Sequence, residues 1–450
     1  MMQWEKLLTS GRFDPKISGQ QTDNQFRSES ERDYDRIIFS APFRNLQDKT
    51  QVFPLPEHDF VHTRLTHSLE VSSVGRTLGK SAGDFLIKKY AHLGEKGITA
   101  SEIGAIVAAA ALTHDIGNPP FGHAGETAIS DFFRFHEYGQ VWQKHITPEQ
   151  WEDLCNFEGN AQGFRMLVAQ NNGLKLSYAT LAAFTKYPRP AYIFEKEPGR
   201  RSQKKFGYYS DQSKDYKQLA MILGIEKATN GCWLRHPLAF LVEAADDICY
   251  SIIDLEDGCT LGLVNIEETI ILFGAILKDR LDREKLDSYP TQAQKLAILR
   301  AMAINQLIQE TVEAFELHEE AMLSGDFDQA LTEVIPSADA LENISKISVK
   351  KIYRSKPVLE KEAAGYQVLE GLLEVFSRAL NHKYYQTDLY SGKDKSILRL
   401  LPEDFPLAGL DASVNPYPML RVLMDFISGM TDKYALSLYR RVKGIALPGA

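Results

Sequence analysis

The sequence predicts an all-α protein. Apolar residues recur at i, i+3, i+4 and i+7 in most long segments, whereas strict alternation of apolar and polar residues is scarce. Hydrophobic residues make up 44 % and charged residues 25 % of the 450 residues, which is typical of a folded globular protein rather than a disordered or fibrous one. A chain of this length has room for two or three domains, or for one large helical body.

Six segments show the helical spacing most clearly, and two stretches lack it. The helical segments are residues 66–86, 99–113, 237–257, 265–278, 291–317 and 360–380. Residues 1–35 are polar with few apolar anchors, and residues 188–217 mix proline, glycine and charge without a helical period. We therefore predict arms or long loops in these two stretches.

The segment 99–113 has clear start and stop signals. Thr99 is followed at the third position by Glu102, which is the spacing of a capping box, and an apolar run comes next. Gly117 and the two prolines that follow it end the helix. We therefore expect His114 and Asp115 on its last turn, facing whatever lies beyond the helix end.

Composition excludes several classes of protein. Acidic residues outnumber basic ones by 60 to 51, giving a formal net charge of -9, so binding to nucleic acid would need a local basic patch. The longest apolar run, residues 103–112, is well short of the roughly 20 residues of a membrane span. No secretory signal is visible, so we expect a cytoplasmic protein. The 4 cysteines form no C-x-x-C pair and are interpreted as reduced packing residues.

The stretch GRTLGKS resembles a phosphate-binding P-loop only superficially. That motif requires four residues between its glycines and a strand before it. Here three residues separate Gly75 from Gly79, and the segment continues a helical pattern. No G-x-G-x-x-G sequence opens a strand–helix unit either, so nucleotide binding through a glycine loop is not expected.

Four residues have metal-binding chemistry, and each lies on a predicted helix. They are His67, His114, Asp115 and Asp246. A single histidine on an apolar helix is usually a packed core residue, but two imidazoles with two carboxylates form a mixed nitrogen and oxygen site. Such a site leaves positions for water on Mg²⁺, Mn²⁺, Fe or Zn²⁺, which a hydrolytic metal needs.

Asp246, Tyr250 and Asp254 are spaced by four and four, so they project from one face of the helix that begins near residue 237. If Asp246 reaches a metal, the other two line the same cavity about 6 and 12 Å along the helix axis. The alternative is an exposed acidic face. We favour the cavity because the neighbouring Ala245 and Cys249 are small and weakly polar.

Five motifs in chain order resemble the deoxyguanosine triphosphate triphosphohydrolases of the HD superfamily. They are RDYDRIIFSAPFRNLQDKTQVFPL, TRLTHSLEV, HDIGNPPFGHAGE, EAADDICYSIIDLED and SGMTDKYALSLYRR. The resemblance implies a multi-helical HD-domain fold with additional C-terminal helices and few or no strands. It further implies an N-terminal arm and nucleotide-contacting segment at 1–54, a metal-binding helical core at 55–260, and a helical region at 261–450 that completes the pocket.

The resemblance also implies an activity. His67, His114, Asp115 and Asp246 would ligate a divalent metal, with Mg²⁺ or Mn²⁺ expected first and Fe, Ni or Zn as alternatives. The reaction would be hydrolysis of a deoxynucleoside triphosphate, with dGTP expected as the preferred substrate, at the α-phosphorus. The products would be a deoxynucleoside and intact inorganic triphosphate.

His123 and Glu126 match the family's catalytic histidine and its carboxylate partner. Because Glu126 lies at i+3, it can orient the imidazole and stabilise its protonated form. His123 would then transfer a proton at the leaving-group end. The alternative role for His123 is that of a loop-capping residue.

The resemblance assigns substrate contacts as well. Arg64 resembles the phosphate-contacting arginine, and the segment around Lys186 resembles one that supplies a lysine to the phosphates. Several basic residues of the same loop are alternatives to that lysine: Arg189, Arg200, Arg201, Lys204 and Lys205.

For the sugar, Tyr250 would crowd the 2′ position and Asp254 would accept the proton of the 3′-hydroxyl. Gln51 matches a residue near the sugar, with a turn-forming glutamine as the alternative. Residues 352–369 resemble the family segment that approaches the base and phosphates, without a residue-by-residue alignment. The chain departs from the family pattern at Asn45, where a second arginine is common.

Two other functions stay open. One is a different HD-type phosphohydrolase, such as a phosphodiesterase or nucleotidase, which would not release intact triphosphate. The other is a non-catalytic module that binds nucleotides or nucleic acid, although such a binder needs neither His123 nor Glu126. The family also implies dimers to hexamers, with residues 419–439 as a candidate contact, and by analogy alone a dNTP effector or single-stranded DNA as a partner.

Overall fold

A computed structural model describes residues 1–13, 27–52, 62–169, 173–193, 195–403, 405 and 412–446. Within these ranges the chain forms helices and connecting loops but no strand, which confirms the predicted all-α class. Isolated β-bridges, such as the one between Thr50 and Thr63, pair single residues only.

The helices follow one another closely along the chain. The first part contains α1 Trp4–Leu7, α2 Glu29–Phe39, α3 Ala41–Asn45, α4 Arg64–Lys89, α5 Ala91–Glu95, α6 Ala100–Thr113 and α7 His123–Phe135. The middle part contains α8 Glu137–Gln140, α9 Pro148–Cys155, α10 Gly159–Val168, α11 Tyr178–Phe184, α12 Ser213–Leu223 and α13 Pro237–Thr260. The last part contains α14 Ile266–Leu277, α15 Arg283–Asp287, α16 Gln292–Ser324, α17 Ala338–Ser348, α18 Lys356–Tyr384, α19 Gly392–Leu398, α20 Tyr417–Ser428 and α21 Asp432–Val442.

All six predicted helical segments are helical, as α4, α6, α13, α14, α16 and α18. Thr99 caps α6, since its side chain accepts a hydrogen bond from the backbone N–H of Glu102. The helix ends at Thr113, as the predicted segment 99–113 has it, but the two residues expected on its last turn lie just beyond it. His114 is its C-cap, and Asp115 lies in the turn that follows rather than on the last helical turn.

The prediction of arms or loops at residues 1–35 and 188–217 is wrong in part. Residues 1–35 include α1 and the start of α2, and Trp4 is only 3 % exposed because it packs in the core and donates a hydrogen bond to Glu319. Residues 188–217 are mostly loop, but α12 begins at Ser213 within them. A few apolar anchors suffice for these helices because tertiary contacts supply the rest of their stability.

Glycines let α4 pack closely against α6. Gly75, Gly79 and Gly83 lie four residues apart, on one face of α4. A Cβ atom at Gly79 would lie 2.8 Å from Val107 and 3.1 Å from the Cα atom of Gly104, both on α6. The glycines of the GRTLGKS stretch therefore serve helix packing within α4.

The described residues form two main hydrophobic cores. The larger one includes buried residues of α4, α6, α11, α13 and α16. The second one joins α7 and α9 to α18, α19, α20 and α21. A hydrogen bond from Trp142 Nε1 to Ser377 Oγ, 2.7 Å long, links the two halves of the second core. The turn after α6 contacts both cores, since Ile116 belongs to the larger one and Phe121 packs against the second.

Two further features match the composition. None of the described helices has the length and apolar character that a membrane span requires. The four cysteines are buried and form no disulfide with one another, as expected of packing residues.

Gly117 holds the turn after α6 against the start of α10. A Cβ atom there would lie 2.0 Å from the carbonyl oxygen of Gly159 and 2.1 Å from the nitrogen of Gly163. Both atoms belong to the backbone, so neither can move aside as a flexible side chain would. Only a residue without a side chain permits this approach.

We expect Gly117→Ala to lower the free energy of unfolding by about 1–3 kcal/mol or more, because the added methyl group forces the turn away from α10. The matched control is Gly392→Ala, whose Cβ atom would meet nothing within 4 Å and which should change stability by less than about 0.5 kcal/mol. Urea denaturation of both variants checks this. Equal stabilities would show that the turn adjusts freely.

Candidate metal centre and active site

The structure brings together the four residues that the sequence singles out as metal ligands. His67 lies on the first turn of α4, His114 and Asp115 follow α6, and Asp246 lies on α13. The Oδ1 atom of Asp246 is 3.3 Å from His67 Nε2 and 3.5 Å from His114 Nε2. His114 Nε2 is also 3.5 Å from Asp115 Oδ2. Separations of about 3 Å are those expected between adjacent ligands of one ion with bonds near 2.1 Å.

His114 is fixed in the tautomer that a metal ligand needs. Its Nδ1–H donates a 2.7 Å hydrogen bond to the carbonyl oxygen of Ala111, which leaves a lone pair on Nε2. That Nε2 atom is buried and makes no hydrogen bond within the part of the chain that the structure describes. Since an unpaired buried acceptor is destabilising, a cation at this point would satisfy it. One atom from each of His67, His114 and Asp115 also lies within 4.8 Å of the others.

Both carboxylates of the group are paired with buried cations. Arg64 Nη1 donates a 2.7 Å hydrogen bond to Asp115 Oδ2, and the side-chain amide of Asn118 donates to Asp115 Oδ1. Lys186 Nζ donates a 2.6 Å hydrogen bond to Asp246 Oδ2. Burial alone would raise both carboxyl pKa values, but the cations outweigh it and hold the pKa of Asp115 and of Asp246 below the ordinary range. Both side chains are therefore ionised at neutral pH.

Arg64 and Lys186 were predicted to contact phosphate, and the structure places each of them against a candidate metal ligand. Both side chains are buried. Among the alternatives in the loop after Lys186, Arg189 donates to backbone carbonyl groups, and Arg201 pairs with Glu243. Of the candidates in this segment, Lys186 is the cation that lies at the metal group.

His123 and Glu126 lie on the first turn of α7, beside the metal group. Their Nε2 and Oε2 atoms are 4.0 Å apart, and Glu126 Oε1 accepts a 2.7 Å hydrogen bond from the backbone N–H of Gly159. The His123 side chain is 83 % exposed, so its ring is accessible to solvent. Desolvation by the surrounding protein, followed by the charges of Lys205 and Arg64, lowers the pKa of His123.

Burial raises the pKa of Glu126, which lies near a second carboxyl group that the sequence interpretation missed. This group is Glu158, whose pKa is also raised by burial and then by the charge of Glu126. Lys205 Nζ lies 3.1 Å from Glu158 Oε1 and partly offsets the repulsion. The carboxyl groups around His123 therefore bind protons more readily than ordinary glutamates.

Tyr250 and Asp254 lie one and two turns beyond Asp246 on α13 and share a partner, Tyr353. The Tyr250 and Tyr353 rings stack with centroids 5.5 Å apart and an interplanar angle of 21°. The Tyr353 hydroxyl donates a 2.7 Å hydrogen bond to Asp254 Oδ2. Burial raises the pKa of Asp254 to about 7, with the Tyr353 hydrogen bond opposing it. These three side chains form one cluster on α13 and its neighbour, beyond Asp246.

Gln51 and Asn45 have different surroundings. The Oε1 atom of Gln51 is buried and has no hydrogen-bond partner among the described residues. Asn45 donates a 3.3 Å hydrogen bond to the carbonyl of Gly429, so this departure from the family pattern forms a structural contact. Gln51 therefore has a buried acceptor without a partner among the described residues.

Sequence reasoning missed several residues at the site. Tyr353 and Lys361 lie in the segment 352–369, which resembled the family without an alignment. Lys361 is on α18, close enough to Arg64 and Asp432 for their charges to affect it, and burial lowers its pKa to about 8. Asn118 belongs to the quoted motif HDIGNPPFGHAGE, but its carboxylate partner became visible only in the structure.

His62 connects α13 to α4 at the edge of the site. Its Nδ1 atom lies 2.9 Å from Asp257 Oδ2, and its Nε2 atom lies 3.2 Å from Glu70 Oε1. The hydrogen bonds to Asp257 and then Glu70 raise the pKa of His62 to about 10, against the opposing effect of burial. His62 is therefore a cation at neutral pH.

Comparison with known proteins agrees with this geometry. The HD domain family matches residues 64–153, and the phosphohydrolase-associated domain matches residues 336–441. A Synechocystis protein named deoxyguanosinetriphosphate triphosphohydrolase-like is 38 % identical over 99 % of this chain and 100 % of its own. A Pseudomonas aeruginosa protein of the same name is also 38 % identical, with the same coverage. An Enterobacter deoxyguanosinetriphosphate triphosphohydrolase is 31 % identical over 95 % of this chain and 96 % of its own.

We expect His62→Gln to destabilise the fold in a pH-dependent way. The folded-state pKa of His62, about 10, lies above its ordinary value of 6.5, so its stabilisation is complete below 6.5 and is lost as pH rises to 10. The variant should lose about 1.5–3 kcal/mol of unfolding free energy near pH 6. That difference should shrink steadily toward pH 10.

Urea denaturation at several pH values measures this difference. His92→Gln is the control, because His92 is half-exposed and lies 3.8 Å from its nearest carboxylate. A deficit for His62→Gln that does not change with pH would contradict a charged His62.

Proposed function

Because the chain belongs to the deoxyguanosinetriphosphate triphosphohydrolase-like family of HD-domain proteins, we propose that it hydrolyses deoxynucleoside triphosphates with a divalent metal ion. The products would be a deoxynucleoside and inorganic triphosphate, and dGTP is the first candidate substrate. The observation that carries the proposal is the convergence of His67, Asp115 and Asp246 on the unpaired Nε2 atom of His114.

The four converging residues would hold the ion. Their donor set of two neutral imidazole nitrogens and two carboxylate oxygens suits Mg²⁺ or Mn²⁺, and Fe, Ni or Zn are alternatives. When bound, such an ion lowers the pKa of a coordinated water and screens the charge of the α-phosphate. The protein contributes a group whose ligands are oriented by Ala111, Asn118 and Lys186 before substrate arrives.

His123 is proposed to act as general acid at the leaving oxygen. In the reaction, the oxygen of water forms a bond to the α-phosphorus, the bond from that phosphorus to the sugar 5′-oxygen breaks, and the 5′-oxygen takes up a proton. The accessible ring of His123 can supply this proton, and Glu126, three residues further along α7, would orient the ring. Their 4.0 Å separation is longer than a hydrogen bond, as is common for catalytic pairs in the absence of substrate.

Local cations would accept the triphosphate. The substrate carries about four negative charges, and the protein as a whole is acidic, so the charge must be met at the site. Arg64 and Lys186 lie beside the candidate metal ligands, and Lys361 faces the same region from α18. Lys361 makes no ion pair among the described residues, which leaves its ammonium group available for a phosphate.

The stacked tyrosines would select the sugar. Tyr250, backed by Tyr353, presents a rigid aromatic plane that would exclude a ribose 2′-hydroxyl. Asp254 would accept a hydrogen bond from the 3′-hydroxyl, and Gln51, whose Oε1 atom has no partner among the described residues, is the second proposed sugar contact. Exclusion of a ribonucleotide by shape and a lost hydrogen bond is an effective form of discrimination.

A product assay tests the proposal. Purified protein with Mg²⁺ or Mn²⁺ and each of the four dNTPs should release deoxynucleoside and intact triphosphate, detected by chromatography and phosphorus NMR, and GTP should react far more slowly. Removal of metal with EDTA should abolish turnover, and adding Mn²⁺ should restore it. Release of monophosphate or pyrophosphate would instead indicate a different HD-type phosphohydrolase, and absence of any product would favour a binding module.

We expect His123→Ala to lower kcat by about 10²- to 10⁴-fold while the dissociation constant for a non-hydrolysable dNTP analogue stays within a few-fold of wild type. The reason is that His123 would contribute a proton rather than binding energy. His92→Ala, which removes another solvent-accessible histidine, is the matched control and should keep wild-type kcat. Full activity in His123→Ala would remove this residue from the mechanism.

A further inference from the structure

Lys49 is a buried lysine whose ammonium group is bonded to backbone oxygens. Lys49 follows α3 in the chain, and it is only 2 % exposed. The Nζ atom donates a 2.6 Å hydrogen bond to the carbonyl of Asn118 and a 2.8 Å hydrogen bond to the carbonyl of Ser428. No carboxylate of the described residues lies within ion-pair distance of it. Nothing in the proposed mechanism uses this cation.

The two carbonyl groups belong to distant parts of the chain. Asn118 lies in the turn after α6, next to the candidate metal ligands. Ser428 is the last residue of α20, where a helix has unpaired carbonyl groups and a partial negative charge. The ammonium group of Lys49 therefore caps the end of α20 and holds the metal-site turn against it.

Both hydrogen-bond partners of Asp115 are attached to Lys49. Asn118, whose side-chain amide donates to Asp115 Oδ1, has its carbonyl bound by the Lys49 ammonium group. Arg64, whose guanidinium donates to Asp115 Oδ2, donates its backbone N–H to the carbonyl oxygen of Lys49 at 3.3 Å. Lys49 thus contacts both residues that donate hydrogen bonds to the Asp115 carboxylate. It binds Asn118 through its ammonium group and Arg64 through its backbone carbonyl.

A second connection follows the same route. The backbone N–H and hydroxyl of Thr50 donate to Asp432 Oδ2 at 3.2 and 2.7 Å, and the N–H of Phe121 donates to Asp432 Oδ1 at 2.9 Å. Asp432 opens α21, so the C-terminal helices hold both the segment 49–50 and the turn 118–121. The turn cannot shift without breaking these contacts.

Burial of this cation is energetically unfavourable, so its position calls for a function other than stabilising the fold. Burial, followed by the charge of Arg64, lowers the pKa of Lys49 to about 7. A methionine of similar length would fill the space without an unpaired charge. A substrate contact is also excluded in this arrangement, because both oxygens that Nζ binds belong to the protein and the side chain is not accessible.

We propose that Lys49 is a positioning residue that sets the Asp115 carboxylate for metal binding by holding Asn118 and Arg64 against the end of α20. The inference depends on the proposed metal-dependent function, since it assigns Asp115 to the metal. Removing a group that orients a metal ligand without binding the metal itself usually lowers metal affinity or activity by about 10- to 100-fold.

Mn²⁺ binding to the full-length protein without substrate tests the inference. Electron paramagnetic resonance of free Mn²⁺ gives the dissociation constant for wild type, Lys49→Met and Lys49→Arg. We expect Lys49→Met to raise the Mn²⁺ dissociation constant by about 10- to 100-fold, with circular dichroism showing a retained helical fold. Lys49→Arg, which keeps the charge and donors, should bind Mn²⁺ more tightly than Lys49→Met.

Two further variants make the test specific. Asn118→Ala removes the amide through which Lys49 acts, so adding Lys49→Met to it should raise the dissociation constant by much less than the product of the two single effects. Lys443→Met removes an ammonium group that pairs with Glu374 at the surface, and it should bind Mn²⁺ like wild type. If Lys49→Met does not fold, Lys49→Gln, whose shorter neutral side chain keeps an N–H₂ donor group, is measured in its place.

A purely structural role would lower the melting temperature of Lys49→Met but leave its Mn²⁺ dissociation constant at the wild-type value, and this result would overturn the inference. Additive effects in the double variant would overturn it as well. The product assay on wild type is independent. Wild-type protein that binds Mn²⁺ but releases no triphosphate would refute the proposed function while the role of Lys49 in metal binding stands.

Discussion

The close packing of α4 on α6 is the constraint on which the site depends. The face formed by Gly75, Gly79 and Gly83 allows the two helix backbones to approach until a Cβ atom at Gly79 would overlap Val107. This approach brings together His67, near the start of α4, and His114, at the end of α6. The centroids of their rings are 5.2 Å apart. Neither histidine could be brought to the same ion by side-chain flexibility alone, because both are buried and held by neighbours.

Charge is concentrated inside this frame although the protein is acidic overall. Four charges lie in two hydrogen-bonded pairs at the centre, those of the buried Arg64, Asp115 and Lys186 and that of the partly buried Asp246. Buried pairs of this kind contribute little net stability, since desolvation offsets their attraction. Their value lies in geometry, because each cation fixes the position of one carboxylate.

The sequence allowed prediction of the long helices and of which residues converge. Helices such as α4, α6 and α13 are long enough for their apolar period to be clear, and the histidines and aspartates carry their chemistry visibly. Short helices such as α1 were not predicted, because they depend on contacts with distant parts of the chain, such as the hydrogen bond from Trp4 to Glu319. Lys49 escaped for a different reason. Its partners are backbone carbonyl oxygens, which every residue has, so the sequence does not identify them. A lysine in a polar segment is also usually exposed, so its burial could not be predicted.

The second hydrophobic core has a consequence for how this chain can be divided. The family match to the HD domain ends at residue 153, yet α7 and α9 within it bury their apolar faces, including Ile129 and Phe133, against helices that begin more than two hundred residues later. The matched region therefore does not enclose a complete hydrophobic core of its own. A fragment that ended with it would leave the apolar face of α7 exposed to water, which favours aggregation.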